Sequence, residues 1–343
     1  MKVLTFCFLF FSLISAYASY NSKNLFGFIA YSSVFLFLFS FTWGIDFQIA
    51  QDLPSYYLWY QESSIRLYNE SDPFFSYLLV AFPDNLSIEV FSFFLLFAIL
   101  LPLLILLNKF KIIYSLTWEH LALIAIVLCA DRLFFDLSLN TSRSSIAIIL
   151  FCLGFVSTNF ITKIILIILA IGFHLYASLF LFLIVIIYKL VEPNKKIIFF
   201  LGIMSCLFFT MKYFFAISFF SDSLTALVLN ERLTRGTQLS DLALTASLFI
   251  QIFISILLLI VVNFFQYFRE NNSHIEHDHN TRKIDIQNIG IIIGSAVLIL
   301  YPDLILILRF AIVPMLFLLP SININILRIL ALFKCLLMAY ILI

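Results

Sequence analysis

Gly172-Phe173-His174-Leu175-Tyr176-Ala177-Ser178 interrupts what is otherwise one long apolar run, and its reading decides the fold. Lysines flank that run, Lys163 on one side and Lys189, Lys195 and Lys196 on the other. Short loops rich in Lys and Arg stay on the cytoplasmic side of a membrane. A single span from Ile164 to Tyr188 would leave a lysine cluster on the wrong face. Two short helices that reverse near His174 keep all four lysines inside and bring the imidazole near the outer surface. An ionisable ring among apolar residues is expensive, so its presence marks a candidate functional site.

The composition supports a membrane reading. Hydrophobic residues make up 63% of the 343 and charged residues 11%, with a mean hydropathy of +1.11. Soluble domains carry roughly a quarter charged residues. The expectation is therefore an all-α polytopic membrane protein, a single transmembrane domain over residues 1–343. At roughly 20 residues per span there is room for about ten to twelve helices, some short or hairpin-like. The longest polar stretch is too short for a nucleotide-sugar transferase domain, and no Gly-rich phosphate loop occurs. No cofactor is expected, and the bilayer rather than nucleic acid is the expected surroundings. Cys7, Cys129, Cys152, Cys206 and Cys335 lie scattered through apolar segments and read as small core hydrophobes.

Lys2, the run Val3–Ile14 and Ala16-Tyr17-Ala18 imitate a cleavable secretory signal. Cleavage would leave Lys23 outside and reverse the charge bias of the molecule, so the segment reads as a retained first span. The other loops sort by charge. Lys23, Lys109 with Lys111, Lys163, Lys189 to Lys196, and the loop 268–285 with Arg269, Arg282 and Lys283 belong inside. Residues 45–86 carry Asp46, Asp52, Glu62, Glu70, Asp72 and Asp84 against Arg66 and belong outside, as do 131–143 and 218–241.

Chemistry collects on that outer side. Asp52-Leu53-Pro54-Ser55-Tyr56-Tyr57-Leu58-Trp59-Tyr60 and Asp72-Pro73-Phe74 interleave carboxylates with aromatic rings. Aromatic faces pack on apolar sugar faces while carboxylates accept from hydroxyls, which makes Tyr56, Trp59, Tyr60 and Asp72 candidate sugar contacts. An interfacial aromatic belt beside solvated acids has the same composition. Arg132, Arg143, Arg232, Arg235 and Arg309 also fall at the outer boundary, where the positive-inside rule disfavours them. Guanidinium forks bind phosphate oxygens bidentately, and a lipid-anchored diphosphate would lie at this depth. Pairing with Asp131, Asp136, Glu231 and Asp241 competes for some of them, whereas Arg143 has no acid within a helical turn. His174 is a candidate base near neutral pH, against the alternative of a ring that bonds locally to the backbone. His274-Ile275-Glu276-His277-Asp278-His279 has metal-like composition, but nothing else converges on it and it reads as a solvated loop.

In order and spacing these pieces resemble the EpsG-like branch of the Wzy family, the bacterial O-antigen and exopolysaccharide polymerases. The resemblance rests on Asp52 four residues before Tyr56, on Asp72-Pro73-Phe74, on Arg143 followed by Ala147, and on Phe173-His174 followed by Ala177-Ser178. It covers roughly Asp46 to Tyr188. Thr42-Trp43 precede Gly44 where that family often has an arginine, so no role is carried onto Asp46. The resemblance implies a metal-independent inverting glycosyltransferase, of Wzy-like or GT-C-like architecture, in the bacterial inner membrane. Its substrate would be an undecaprenyl-diphosphate-linked oligosaccharide repeat, with a flippase and a chain-length regulator as partners. Arg143 first, then Arg235 and Arg309, would clamp the departing diphosphate, with Arg132 a further candidate substrate contact. His174, or a carboxylate such as Asp52, would take the proton of the attacking hydroxyl. Two other readings are a glycosyltransferase using a polyprenyl-phosphate sugar and a flippase of lipid-linked sugars. A flippase would spread charge through the depth of the bundle and break helices in matching halves.

Overall fold

The computed structural model describes residues 53–62, 72–130, 141–191, 200–208, 258–263, 280–300 and 309–342, together with 12, 14–15, 27–29, 31–32, 197–198 and 255–256. Among these residues every regular element is helical and no strand occurs. The helices are α1 (Leu53–Gln61), α2 (Pro73–Val80), α3 (Ile88–Ile113), α4 (Trp118–Cys129), α5 (Ser142–Val156), α6 (Phe160–Phe173), α7 (Leu175–Val191), α8 (Asn280–Leu300), α9 (Ile312–Leu318) and α10 (Ile324–Leu342).

Among the described residues α3 is the helix long and apolar enough to cross a bilayer. Its 26 residues reach about 39 Å at roughly 1.5 Å per residue, more than a hydrocarbon core of about 30 Å requires. Ser87 starts it by accepting from the Val90 amide, which satisfies one first-turn donor. The neighbouring helices α4 to α7 are shorter. Of these α5 is buried almost from end to end, enclosed by α3, α6, α7 and α9.

The hydrogen bonds fix how the central helices run. At one end the Tyr114 hydroxyl, just past α3, donates to the Lys283 carbonyl (3.4 Å). Arg282 donates to the Val156 carbonyl, where α5 finishes. Near the end of α7, Tyr188 and Lys189 donate to the two oxygens of Asp285 at 2.7 and 2.6 Å. The opposite end holds the start of α5, the junction between α6 and α7, and Arg309. The chain therefore runs away from Arg143 along α5, returns along α6, and reverses again at His174. The backbone of His174 is extended (φ −161°, ψ 100°), which ends α6 and begins α7.

Residues 45–86 depart from an irregular polar loop. Two helices occupy it, and Leu53, Tyr56, Tyr60, Phe75 and Leu79 enter the core. Leu53, Tyr56 and Tyr60 recur three and four positions apart, one helical stripe that the surrounding polar residues obscure in the sequence. Likewise α8 begins at Asn280, within the stretch read as the loop 268–285.

Candidate active site

Four chain segments meet at the end of the bundle opposite Lys189 and Asp285. Asp72-Pro73-Phe74 enters α2, Arg143 and Ser144 lie in the first turn of α5, His174 joins α6 to α7, and Arg309 precedes α9. Close packing between α2 and α6 holds two of them together. Phe74 lies against Gly172 so tightly that a Cβ there would fall 2.1 Å from its ring, and the Phe74 and Phe173 rings are 6.3 Å apart.

Arg143 donates through Nη1 to Asp72 Oδ2 at 2.5 Å. Asp72 is the acid that local sequence could not supply, coming from 71 positions away. Its carboxylate makes no cap on α2 and is committed to the guanidinium. The same guanidinium faces Trp59 (Cζ to ring centroid 4.9 Å), Tyr56 (5.7 Å) and Phe75 (6.0 Å), a cation surrounded by ring faces. Its Nε is buried with no hydrogen-bond partner.

Arg309 extends the cluster. Its Nη1 donates to Ser144 Oγ (3.0 Å) and lies 3.0 Å from His174 Nε2. The second ring nitrogen of the buried His174, Nδ1, faces the Ala177 amide N–H at 3.3 Å. Both ring nitrogens thus face donors. A neutral imidazole has one accepting nitrogen and an imidazolium has none, so the ring is neutral here and only one contact at a time is a hydrogen bond.

The candidate residues do not all share this site. Asp72, Arg143, His174 and Arg309 come together with Tyr56 and Trp59. Tyr56 is nevertheless core, edge-on to Phe75 and Trp59, while Trp59 is half-buried. Tyr60 serves a different purpose. Its hydroxyl donates to the Pro83 carbonyl and accepts from the Leu86 amide (2.9 Å), bracing the turn between α2 and α3. Tyr57 does the same at the Leu86 carbonyl (2.7 Å). Asp52, Arg132, Arg235 and the tract His274 to His279 lie outside the described residues. Among the described residues no group of three His, Cys, Asp or Glu converges to hold a metal. Sequence reasoning missed Ser144, Phe75 and the Ala177 amide. None carries an unusual residue type, and only packing reveals them.

Among the described residues the fold is all-helical, with one helix long and apolar enough to cross a bilayer and a polar cluster built on helix ends, the arrangement of a helical membrane protein. The chain belongs to the EpsG family, whose model matches residues 28–343, as the order of its motifs anticipated. No curated protein and no solved structure matches it. Membership makes it a glycosyltransferase-like polymerase of polysaccharide biosynthesis.

Proposed function

We propose that this chain is a multi-pass protein of the bacterial inner membrane that polymerises undecaprenyl-diphosphate-linked oligosaccharide repeats at the outer face. One observation carries the reading: the first turns of α2, α5 and α7 converge on the end of the bundle that also holds Arg143 and Arg309. Helix N-termini present unpaired N–H groups and the positive ends of their dipoles, so this end favours an anion.

In the proposed step a hydroxyl oxygen of one repeat bonds to the anomeric carbon of another chain. The bond from that carbon to the diphosphate oxygen breaks, and the lipid diphosphate leaves with the electron pair. The developing charge calls for fixed cationic donors, a role that falls to Arg143 and Arg309 in place of a metal. Asp72 orients Arg143, and the half-buried Trp59 offers a ring face to sugar. Arg132 and Arg235 are further candidate contacts, and a carboxylate such as Asp52 takes the hydroxyl proton if His174 does not. A flippase would deliver the lipid-linked repeats and a regulator would set their final number.

The test is the surface polysaccharide of cells carrying R143A or H174A as their sole copy. Loss of all chains beyond one repeat is expected, with the protein still present in the membrane. A normal ladder of long chains rules the reading out. Loss of one sugar alone assigns a single-sugar transferase instead.

A further inference from the structure

We infer that His174 serves this reaction as a hydrogen-bond donor through Nε2, directed at the lipid diphosphate, and not as the base that deprotonates the attacking hydroxyl. The inference rests on the polymerase reading and concerns the role of one residue within it.

The argument starts at the backbone. His174 precedes α7, and Ala177 N–H belongs to the first turn of that helix, where amides have no partner within the helix. His174 Nδ1 meets this amide at 3.3 Å, so the imidazole caps α7 as an Asn or Ser side chain does elsewhere. That amide is fixed by the helix and cannot turn away. Its competitor, Arg309, ends a long flexible stem and already donates to Ser144 Oγ at 3.0 Å. With Arg309 on Nε2, the ring's one lone pair is taken and no base is open. With Arg309 drawn onto a phosphate oxygen, the Ala177 amide claims Nδ1 and the proton rests on Nε2. In neither arrangement does Nε2 offer a free lone pair to a hydroxyl.

The second arrangement has a use. Arg309 Nη1 and His174 Nε2 are 3.0 Å apart, and two donors that close are reconciled by an acceptor placed before both. Phosphate oxygens are such acceptors and are bound most strongly by charged donors. The His174 proton stays on Nε2 throughout. The new carbon–oxygen bond forms, the bond to the diphosphate breaks with its electrons going to the diphosphate, and the hydroxyl proton passes to a carboxylate.

Substitution separates donor from base. Gln places an amide nitrogen near the position of Nε2, Asn places one near Nδ1, and neither takes a proton at neutral pH. Removing a transition-state donor costs roughly 10²–10³-fold. In cells, polymer should fall by that order in H174A and H174N and recover to within about tenfold of wild type in H174Q. A base would be lost equally in all three, at roughly 10²–10⁴-fold. H174Q as inactive as H174A therefore overturns the donor role and leaves the polymerase reading standing, whereas normal polymer in H174A removes that reading itself. A second measurement needs no variant at the site. ¹⁵N-histidine spectra of the whole chain in phospholipid vesicles should show protonated Nε2 and unprotonated Nδ1 once farnesyl diphosphate is added. Inorganic pyrophosphate should give the same result only at higher concentration. Unprotonated Nε2 with the lipid probe bound overturns the assignment.

Discussion

Replacing Asp72 by Ala removes the carboxylate that receives Arg143 and leaves the guanidinium among Trp59, Tyr56 and Phe75. Breaking a buried ion pair by deleting one partner costs about 3–5 kcal/mol. Two features lower that figure. The Arg143 side chain keeps 23% of its exposure while Asp72 keeps 8%, so some hydration returns to the cation. The ring faces also retain an attraction of about 0.5–2 kcal/mol. The expected loss for D72A is therefore about 2–3 kcal/mol. D72N keeps an acceptor in place and exchanges a charge-assisted hydrogen bond for a neutral one, a difference of about 1 kcal/mol. Unfolding in mixed micelles, followed by intrinsic fluorescence during SDS titration, measures both. The decisive quantity is the cycle of D72A, R143M and the double variant. Each single change orphans a charge and the double change orphans none, so the coupling should reach about 1.5–3 kcal/mol. Additivity within about 0.5 kcal/mol would refute the claim that the two residues hold each other.

Gly172→Ala drives a methyl into the Phe74 ring and should destabilise by about 1–3 kcal/mol, with most of the loss recovered in the pair G172A/F74A; thermal unfolding of both reports this. Tyr60→Phe strips the brace from the Pro83 and Leu86 backbone at a cost of about 1–3 kcal/mol, and polymer per folded molecule should be unchanged. A sugar contact would behave in the opposite way. Two ion pairs among the described residues, both away from the site, should differ in strength. Lys189–Asp285 is half open to solvent and its loss should shift stability by less than about 0.5 kcal/mol. Glu119–Arg328 is largely buried, so E119A should cost several times more and respond less to added salt.

How far the sequence carried this structure depends on how expensive each residue is. His174 and Arg309 stand out because an ionisable side chain amid apolar residues needs a reason, and both lie in the cluster. The reversal at His174 was legible from Lys163 and Lys189, residues with no contact to it, because charge in short loops reports on chain direction. Arg143 was legible as a cation but not as half of a pair. Its acid lies 71 positions away, and only tertiary packing of α2 on α6 brings it near. Residues 53–61 looked like a loop because Tyr and Trp among polar neighbours satisfy an interfacial belt and a buried helix equally well. The hydrogen bonds of the Tyr60 hydroxyl separate the two. The Ala177 amide left no trace in the sequence, since every residue except proline carries the same donor.

The position of Arg143 argues that the cluster is more than a place to hide a charge. It lies in the first turn of α5, a helix with no acid in that turn and no side-chain cap. The macrodipole there is positive, and a cation at such an end loses about 0.3–1 kcal/mol that it would gain at a C-terminus. The start of α7 and a second arginine, Arg309, face the same region. A bundle needing only apolar packing would leave these cations out, and one needing a single salt bridge would put Arg143 at the far end of α5, where the dipole helps. Holding two arginines against helix N-termini, with Asp72 to orient one of them, makes sense where a multiply charged anion completes the balance during turnover.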